Sequence, residues 1–140
     1  MIATAIDTLA SPPCAVLLGW RLIDGRPAEG WIKIGFDGKP EFCNPAGFIQ
    51  GGILASMLDD TMGPAVFIKT ESRLYTETVS MTVNFLAPAK PGPIVGEARV
   101  LQLGKTIAFM EARLTGDAGV LLATASASAR LVEATKALAK

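Results

Sequence analysis

The residues best able to do chemistry lie in one short stretch. Gln50-Gly51-Gly52 stands where an apolar run with helical spacing begins, and Asp59-Asp60 follows within that run. The first turn of a helix leaves amide N–H groups unpaired, and its dipole favours negative charge there. Two glycines let a ligand approach that backbone, which makes it a candidate oxyanion hole; the same glycines also suit a plain helix cap. Aspartate is a poor interior helix residue, so two in tandem need a reason. Consecutive helical positions lie about 100° apart, so the two carboxylates do not face each other as an acid–base dyad. Asp59 falls where the apolar stripe gives way to Gly52, Ser56 and Gly63, a groove of small residues. Asp60 is expected to point further from the core, toward Ile53 and Phe67. Solvated carboxylates are the alternative for both, and Asp59 is the better placed for chemistry.

Composition narrows what that chemistry can be. The 140 residues include no histidine, which excludes a Ser-His-Asp or Cys-His relay, a His-ligated zinc site and a histidine general base. Lys+Arg and Asp+Glu each number 13, and this zero net charge argues against nucleic acid as a partner. Half the residues are hydrophobic, enough for one core, and the reading is a single domain over residues 1–140. Cys14 and Cys43 form no C-x-x-C pair and are expected to be small buried hydrophobes. No basic, apolar leader opens the sequence and no run approaches the ~18 apolar residues of a membrane span, so the expected location is the cytoplasm, away from membranes. Gly104-Lys105-Thr106 is a decoy: Arg99 stands where a phosphate loop needs glycine. Ser11, Ser56 and Ser80 have no histidine to activate them.

The elements that must position these residues follow from periodicity. Ser11-Pro12-Pro13 punctuates a short N-terminal helix within residues 1–13. Residues 15–23 read as a strand, Asp24-Gly25 as a turn, and residues 30–36 as a second strand with clean alternation, closed by Asp37-Gly38-Lys39-Pro40. Leu54, Leu58, Thr61 and Ala65 recur at helical spacing, widened by Met57, Met62 and Val66, and predict one helix over 51–68. Pro64 has no amide for the carbonyl four residues back, so a kink or loosening is expected near Gly63-Pro64. Four strands follow, over 76–86, 94–103, 106–114 and 120–132, and the last carries Ala123, Ala125, Ala127 and Ala129 on one face, where the helix is expected to approach. Two strands, a buried helix and four strands make an α+β domain, an antiparallel six-stranded sheet wrapped around the helix.

The stretch from Asn44-Pro45-Ala46-Gly47 through Gln50-Gly51-Gly52 to Asp59 resembles the signature of hotdog-fold acyl-CoA thioesterases of the phenylacetic-acid-degradation (PaaI-like) type. That signature runs Asn, Gly, His-Gly-Gly, then a helix with an acidic residue seven positions after the second glycine; here that position is Asp59. Residues 78–89, Thr78 to Ala89, look like the family's next strand and its proline-containing exit. One position departs: Gln50 stands where the family most often has histidine, and an amide does not titrate near neutral pH. The resemblance implies a hotdog fold and hydrolysis of an acyl-CoA thioester to acid and coenzyme A without a cofactor or metal. It assigns the Gly51 amide to the carbonyl oxygen, Asp59 to the role of nucleophile or general base, Asn44 to orienting water or thioester, and Thr78 to holding the water or the carboxylate. Gln50 and Gly52 would border the substrate. Apart from the resemblance, Lys90 and Lys105 are candidates to meet the coenzyme A phosphates, ordinary solvated lysines being the favoured alternative. The resemblance further implies a homodimer or homotetramer with shared active sites, Asp59 facing the loop of another subunit and the strand over 76–86 pairing with its twin. Met57, Met62, Phe67 and Phe85 are candidates to line an acyl pocket. The alternative is a hotdog module that binds acyl-CoA without hydrolysing it, which Gln50 favours.

Overall fold

A computed structural model of the chain describes Ile6 and residues 11–139. Its elements run α1 (Pro13–Leu18), β1 (Arg21–Arg26), β2 (Trp31–Gly38), α2 (Gly51–Lys69), β3 (Leu74–Phe85), β4 (Gly92–Leu103), β5 (Ile107–Thr115), β6 (Leu121–Glu133) and α3 (Ala134–Ala137). The six strands form one sheet in the order β1-β2-β4-β5-β6-β3, every neighbouring pair antiparallel. The long helix α2 lies on one face of this sheet and touches all six strands. This is the α+β hotdog arrangement expected from the sequence. Among the described residues no helix is long and apolar enough to cross a membrane.

The apolar stripe of α2 explains the packing. Leu54, Met57, Leu58, Met62, Ala65 and Val66 are buried against Ile32, Ile34 and Phe36 of β2, Ile94 of β4 and Met110 and Leu114 of β5 in one cluster. A fully buried side chain of this kind contributes roughly 1.5–3 kcal/mol, so the stripe fixes which face of α2 meets the sheet. Thr61 is buried in the same stripe, and its hydroxyl donates to the Met57 carbonyl at 2.6 Å, so no polar group is orphaned there. Opposite it, β4 has Gly96, where a Cβ would come within 2.6 Å of Thr61 Oγ1; only a residue without a side chain lets the helix sit this close.

Pro64 lies inside α2, five residues before its end. The helix does not break and continues to Lys69. The carbonyl that Pro64 leaves without an amide is that of Asp60, and the indole Nε1–H of Trp20 donates to it at 2.9 Å. A side chain from the α1–β1 junction thus replaces the missing backbone donor.

Differences from expectation lie in the first thirty residues. The run Ala15-Val16-Leu17-Leu18 is the helix α1, not a strand. Pro13 opens it in its first turn, where a missing amide costs nothing. Gly19 closes it at φ 71°, with the Gly19 and Trp20 amides donating to the Val16 and Ala15 carbonyls at 3.2 and 2.9 Å. Asp24-Gly25 is not a turn: both residues pair with β2, opposite Lys33 and Ile32, and the chain reverses at Pro27–Gly30. The sequence placed the later strands to within two residues. Ala123, Ala125, Ala127 and Ala129 are buried on the helix-facing side, although α2 leans mostly on β4, β3 and β5. Cys43 is half-buried and Cys14 exposed, so neither is the buried hydrophobe expected. The helix expected within residues 1–13 lies outside the described residues, apart from Ile6 and residues 11–13.

The edge strand β3 carries an irregularity. Thr78 pairs with Ala129 and Ser80 with Ser128, so Val79 is an extra residue on β3 with no partner of its own on β6.

Replacing Trp20 with phenylalanine keeps the ring and removes the N–H. The expected cost is about 1–3 kcal/mol, that of an unsatisfied buried carbonyl. In a Pro64→Ala background the restored amide takes over the Asp60 carbonyl, so the same Trp20→Phe change is expected to cost about 1 kcal/mol less in a urea-denaturation double-mutant cycle. Equal costs in both backgrounds would show that the indole is not standing in for the amide.

Candidate active site

The loop entering α2 is tied down by its own polar groups. Asn44 Oδ1 accepts from the Ala46 and Phe48 amides at 3.0 and 3.1 Å, and the Asn44 amide donates to the Phe48 carbonyl at 2.7 Å. The carboxamide oxygen is thereby used by the loop, and its Nδ2 remains to donate elsewhere. The Ile49 amide donates to Ala89 and the Gln50 amide to Phe42, both at 2.8 Å, anchoring the loop to the β3–β4 connection and to the turn after β2. The Gln50 carbonyl accepts from Ile53 and Leu54, while its side chain is exposed and makes no capping bond.

The amides of Gly51 and Gly52 open α2, and among the described residues nothing accepts from them. Gly52 is exposed, with open space where a Cβ would sit. Gly51 borders a cleft of about 360 Å³ whose walls include Asn44, Phe48, Ile49, Leu54, Phe85 and Leu86. Asn44 supplies the only polar side chain of the lining. The cleft therefore combines apolar walls, unpaired donors and the positive end of a helix dipole.

Asp59 lies two turns further along α2, exposed, and Thr78 Oγ1 of β3 donates to its Oδ1 at 2.7 Å. The structure thus brings Asp59 and Thr78 together. It does not bring Asp59 to Gly51: eight residues of helix at 1.5 Å each separate them by about 12 Å along the axis. Asp60 is the more buried aspartate, the reverse of the expectation from helical geometry, because Trp20 comes over that side of α2. Its Oδ2 is buried with no hydrogen-bond partner among the described residues. Burial first, and the neighbouring Asp59 charge second, push its pKa from 3.8 to about 6.

The two lysines separate. Lys90 is exposed immediately after Ala89, at the rim of the cleft. Lys105 is exposed in the β4–β5 turn, at the other end of β4, roughly 35 Å of strand away. Of the expected pocket residues only Phe85 lines the cleft; Met57, Met62 and Phe67 are buried in the interior. A larger hollow of about 460 Å³ lies on the opposite face of the sheet, among Trp31, Glu97, Arg99, Glu111 and Arg113. Its Glu97 faces Arg113 at 3.6 Å and Lys33 at 4.0 Å, so this carboxylate is paired across neighbouring strands. Among the described residues no three His, Cys, Asp or Glu side chains gather as metal ligands would. Sequence reasoning missed the contact of Phe85 with Gly51 and the role of Trp20. Strand alternation bears on the first; nothing local bears on the second.

Comparison with known proteins adds to this geometry. Residues 46–123 match the profile of the Thioesterase superfamily. The chain is 38% identical over 87 residues to acyl-coenzyme A thioesterase 13 of Homo sapiens, an overlap of 61% of each chain, so it spans less than two thirds of that relative. It resembles the phenylacetic acid degradation-related protein of Ralstonia eutropha JMP134 at a TM-score of 0.84 and 29% identity, covering 90% of this chain and 95% of that one. A thioesterase family protein from Silicibacter pomeroyi follows at 0.81 and 27%, covering 92% and 96%.

Asp60 generates a pH prediction. Below 3.8 its carboxyl is protonated in both folded and unfolded chains; above about 6 it is ionised in both, and the folded chain carries the burial penalty. Stability from this group is therefore lost as pH rises through that window. With its partial exposure taken into account, Asp60→Asn is expected to stabilise the protein by about 1–2 kcal/mol at pH 7, the gain shrinking toward zero near pH 4. Urea midpoints at the two pH values check it.

Proposed function

The chain belongs to the Thioesterase superfamily, and on that footing we propose that it hydrolyses an acyl-CoA thioester to the free acid and coenzyme A. The observation that carries the reading is a helix start whose Gly51 and Gly52 amides have no acceptor among the described residues, Gly51 bordering an apolar cleft, together with a carboxylate, Asp59, held by Thr78.

A thioester is already an activated acyl group, so its hydrolysis needs a clamp on the carbonyl oxygen and one base or nucleophile. The Gly51 amide and the helix dipole take the negative charge that develops on that oxygen. Asp59 acts as general base toward water, which adds to the carbonyl carbon and gives the acid as the carbon–sulfur bond breaks and the thiolate leaves; or Asp59 attacks the carbon itself, the thiolate leaves, and water then cleaves the resulting anhydride to the acid and free Asp59. Thr78 fixes the carboxylate through the bond to Oδ1, leaving Oδ2 for the reaction. Asn44 Nδ2 orients the water or thioester, Gln50 and Gly52 border the substrate, and Lys90 at the rim meets the coenzyme A phosphates. Lys105 lies too far from this cleft along its own chain and serves a phosphate only from another subunit.

The 12 Å between Gly51 and Asp59 is too long for one chain to apply both groups to one carbonyl. The reading therefore places each site between two subunits, Gly51 from one and Asp59 from the other. The unpaired edge of β3 supports this, with Val79 66% and Tyr75 41% exposed on it. Two copies of β3 paired edge to edge would cover both. A non-catalytic acyl-CoA-binding module is the second reading, favoured by Gln50, a neutral amide where the resembling sequences most often have histidine.

A thiol-release assay over short, medium, long and aryl acyl-CoAs tests the proposal. Wild type is expected to turn over, and Asp59→Asn to lose at least about a hundredfold in kcat at unchanged melting temperature. Binding without turnover across the panel selects the second reading. Gly51→Pro removes one N–H at a helical position that tolerates proline. It should be inactive alone, yet mixing and reassociating it with Asp59→Asn should recover about a quarter of wild-type activity, because each mixed dimer holds one intact site. No recovery from the mixture would place the whole site within one chain.

A further inference from the structure

Phe85 ends β3 beside the start of α2. A Cβ built on Gly51 would lie 3.2 Å from the Phe85 Cζ and 3.5 and 3.6 Å from the flanking ring carbons, so the tip of the ring abuts Gly51. The ring is 54% exposed and belongs to the wall of the 360 Å³ cleft. Exposure alone says little, since many apolar side chains reach solvent. Here a half-exposed aromatic stands next to the one amide read as the grip on the thioester oxygen. A substituent of that carbonyl carbon that enters the cleft lies against the ring. The cleft is also small, near the lower end of the ~300–1,000 Å³ range of ligand sites, and apart from Asn44 its other side chains, Phe48, Ile49, Leu54 and Leu86 among them, are apolar.

We propose that Phe85 is the specificity-determining residue of the acyl pocket, its ring closing the cleft beside Gly51 so that compact acyl groups are accepted and long chains are turned away. The inference rests on the thioesterase reading above and adds the class of acyl group. It places the acyl chain, not the coenzyme arm, against the ring, because the lining carries no charge and Asn44 is its only polar side chain. Being half-exposed, the ring contributes little to the interior, so shortening it changes the cleft more than the fold. Gly51 is part of the same device: without a side chain it leaves room for the ring tip and keeps its amide open.

The test measures kcat/KM of wild type, Phe85→Ala and Phe85→Trp for butanoyl-, hexanoyl-, dodecanoyl- and palmitoyl-CoA, with thermal melts for each protein. Opening the wall is expected to raise the dodecanoyl-to-butanoyl ratio on the order of tenfold, and the bulkier tryptophan to lower it. Should the alanine variant fail to fold, Phe85→Leu substitutes with a smaller shift in the same direction. An acyl profile unchanged by these variants overturns the proposal. A uniform loss for every thioester also overturns it, since the ring would then line the coenzyme arm. If wild type hydrolyses none of the four and no aryl acyl-CoA either, the thioesterase reading itself falls and takes this inference with it; hydrolysis with an unchanged profile, or of the aryl thioester alone in every variant, removes only the role of Phe85.

Discussion

Pro64 withholds one amide from the middle of the central helix, and the indole of Trp20 supplies the donor that the Asp60 carbonyl would otherwise lack. Much of the molecule depends on that exchange. Beyond Pro64 the helix still has to bury Ala65, Val66, Phe67 and Ile68, and a break at Asp60 would turn those side chains off the sheet. Asp59 and Asp60 sit on the turn that would open, so the same bond holds the carboxylates in place. It also brings Trp20 over Asp60, which is why the second aspartate is buried and the first is not.

The helix and the last four strands were legible from periodicity, because their apolar positions repeat over nine residues or more. Residues 15–18 were not. Four apolar residues in a row fit a strand and one turn of helix equally well, and Pro12-Pro13 opens a helix as readily as it closes one. Asp24-Gly25 carries a turn signature yet sits inside β1, since pairing with β2 outweighed local preference. At the candidate site, the resemblance, not spacing, named Thr78 to hold the water or the carboxylate; its hydroxyl donates to Asp59 Oδ1. The burial of Asp60 could not be read at all, because it comes from a residue forty positions earlier. Phe67, expected to be a pocket residue, has the same apolar character as Phe85; only the sheet distinguishes which of the two reaches the cleft.

The rigidity of α2 has a second effect. A continuous helix fixes the separation of its first amides from Asp59, and side-chain motion cannot close a gap of about 12 Å. On the thioesterase reading, assembly and chemistry then become one event, each copy contributing the donor half of one site and the carboxylate half of another. The free edge of β3 is the surface through which such a pair would form, and Thr78, which steadies Asp59, stands on that same strand.

The unpartnered Val79 deserves a parity argument. Positions 78 and 85 differ by an odd number, and in a regular strand an odd separation sends two side chains to opposite faces. Here both point toward α2, Thr78 to Asp59 and Phe85 to Gly51, because the extra residue between them resets the alternation. Pairing Val79 in regular register with β6, with no such irregularity, would leave β3 able to serve either end of the helix but not both. The irregularity is therefore the phase setter that lets a single strand address two places along the helix at once.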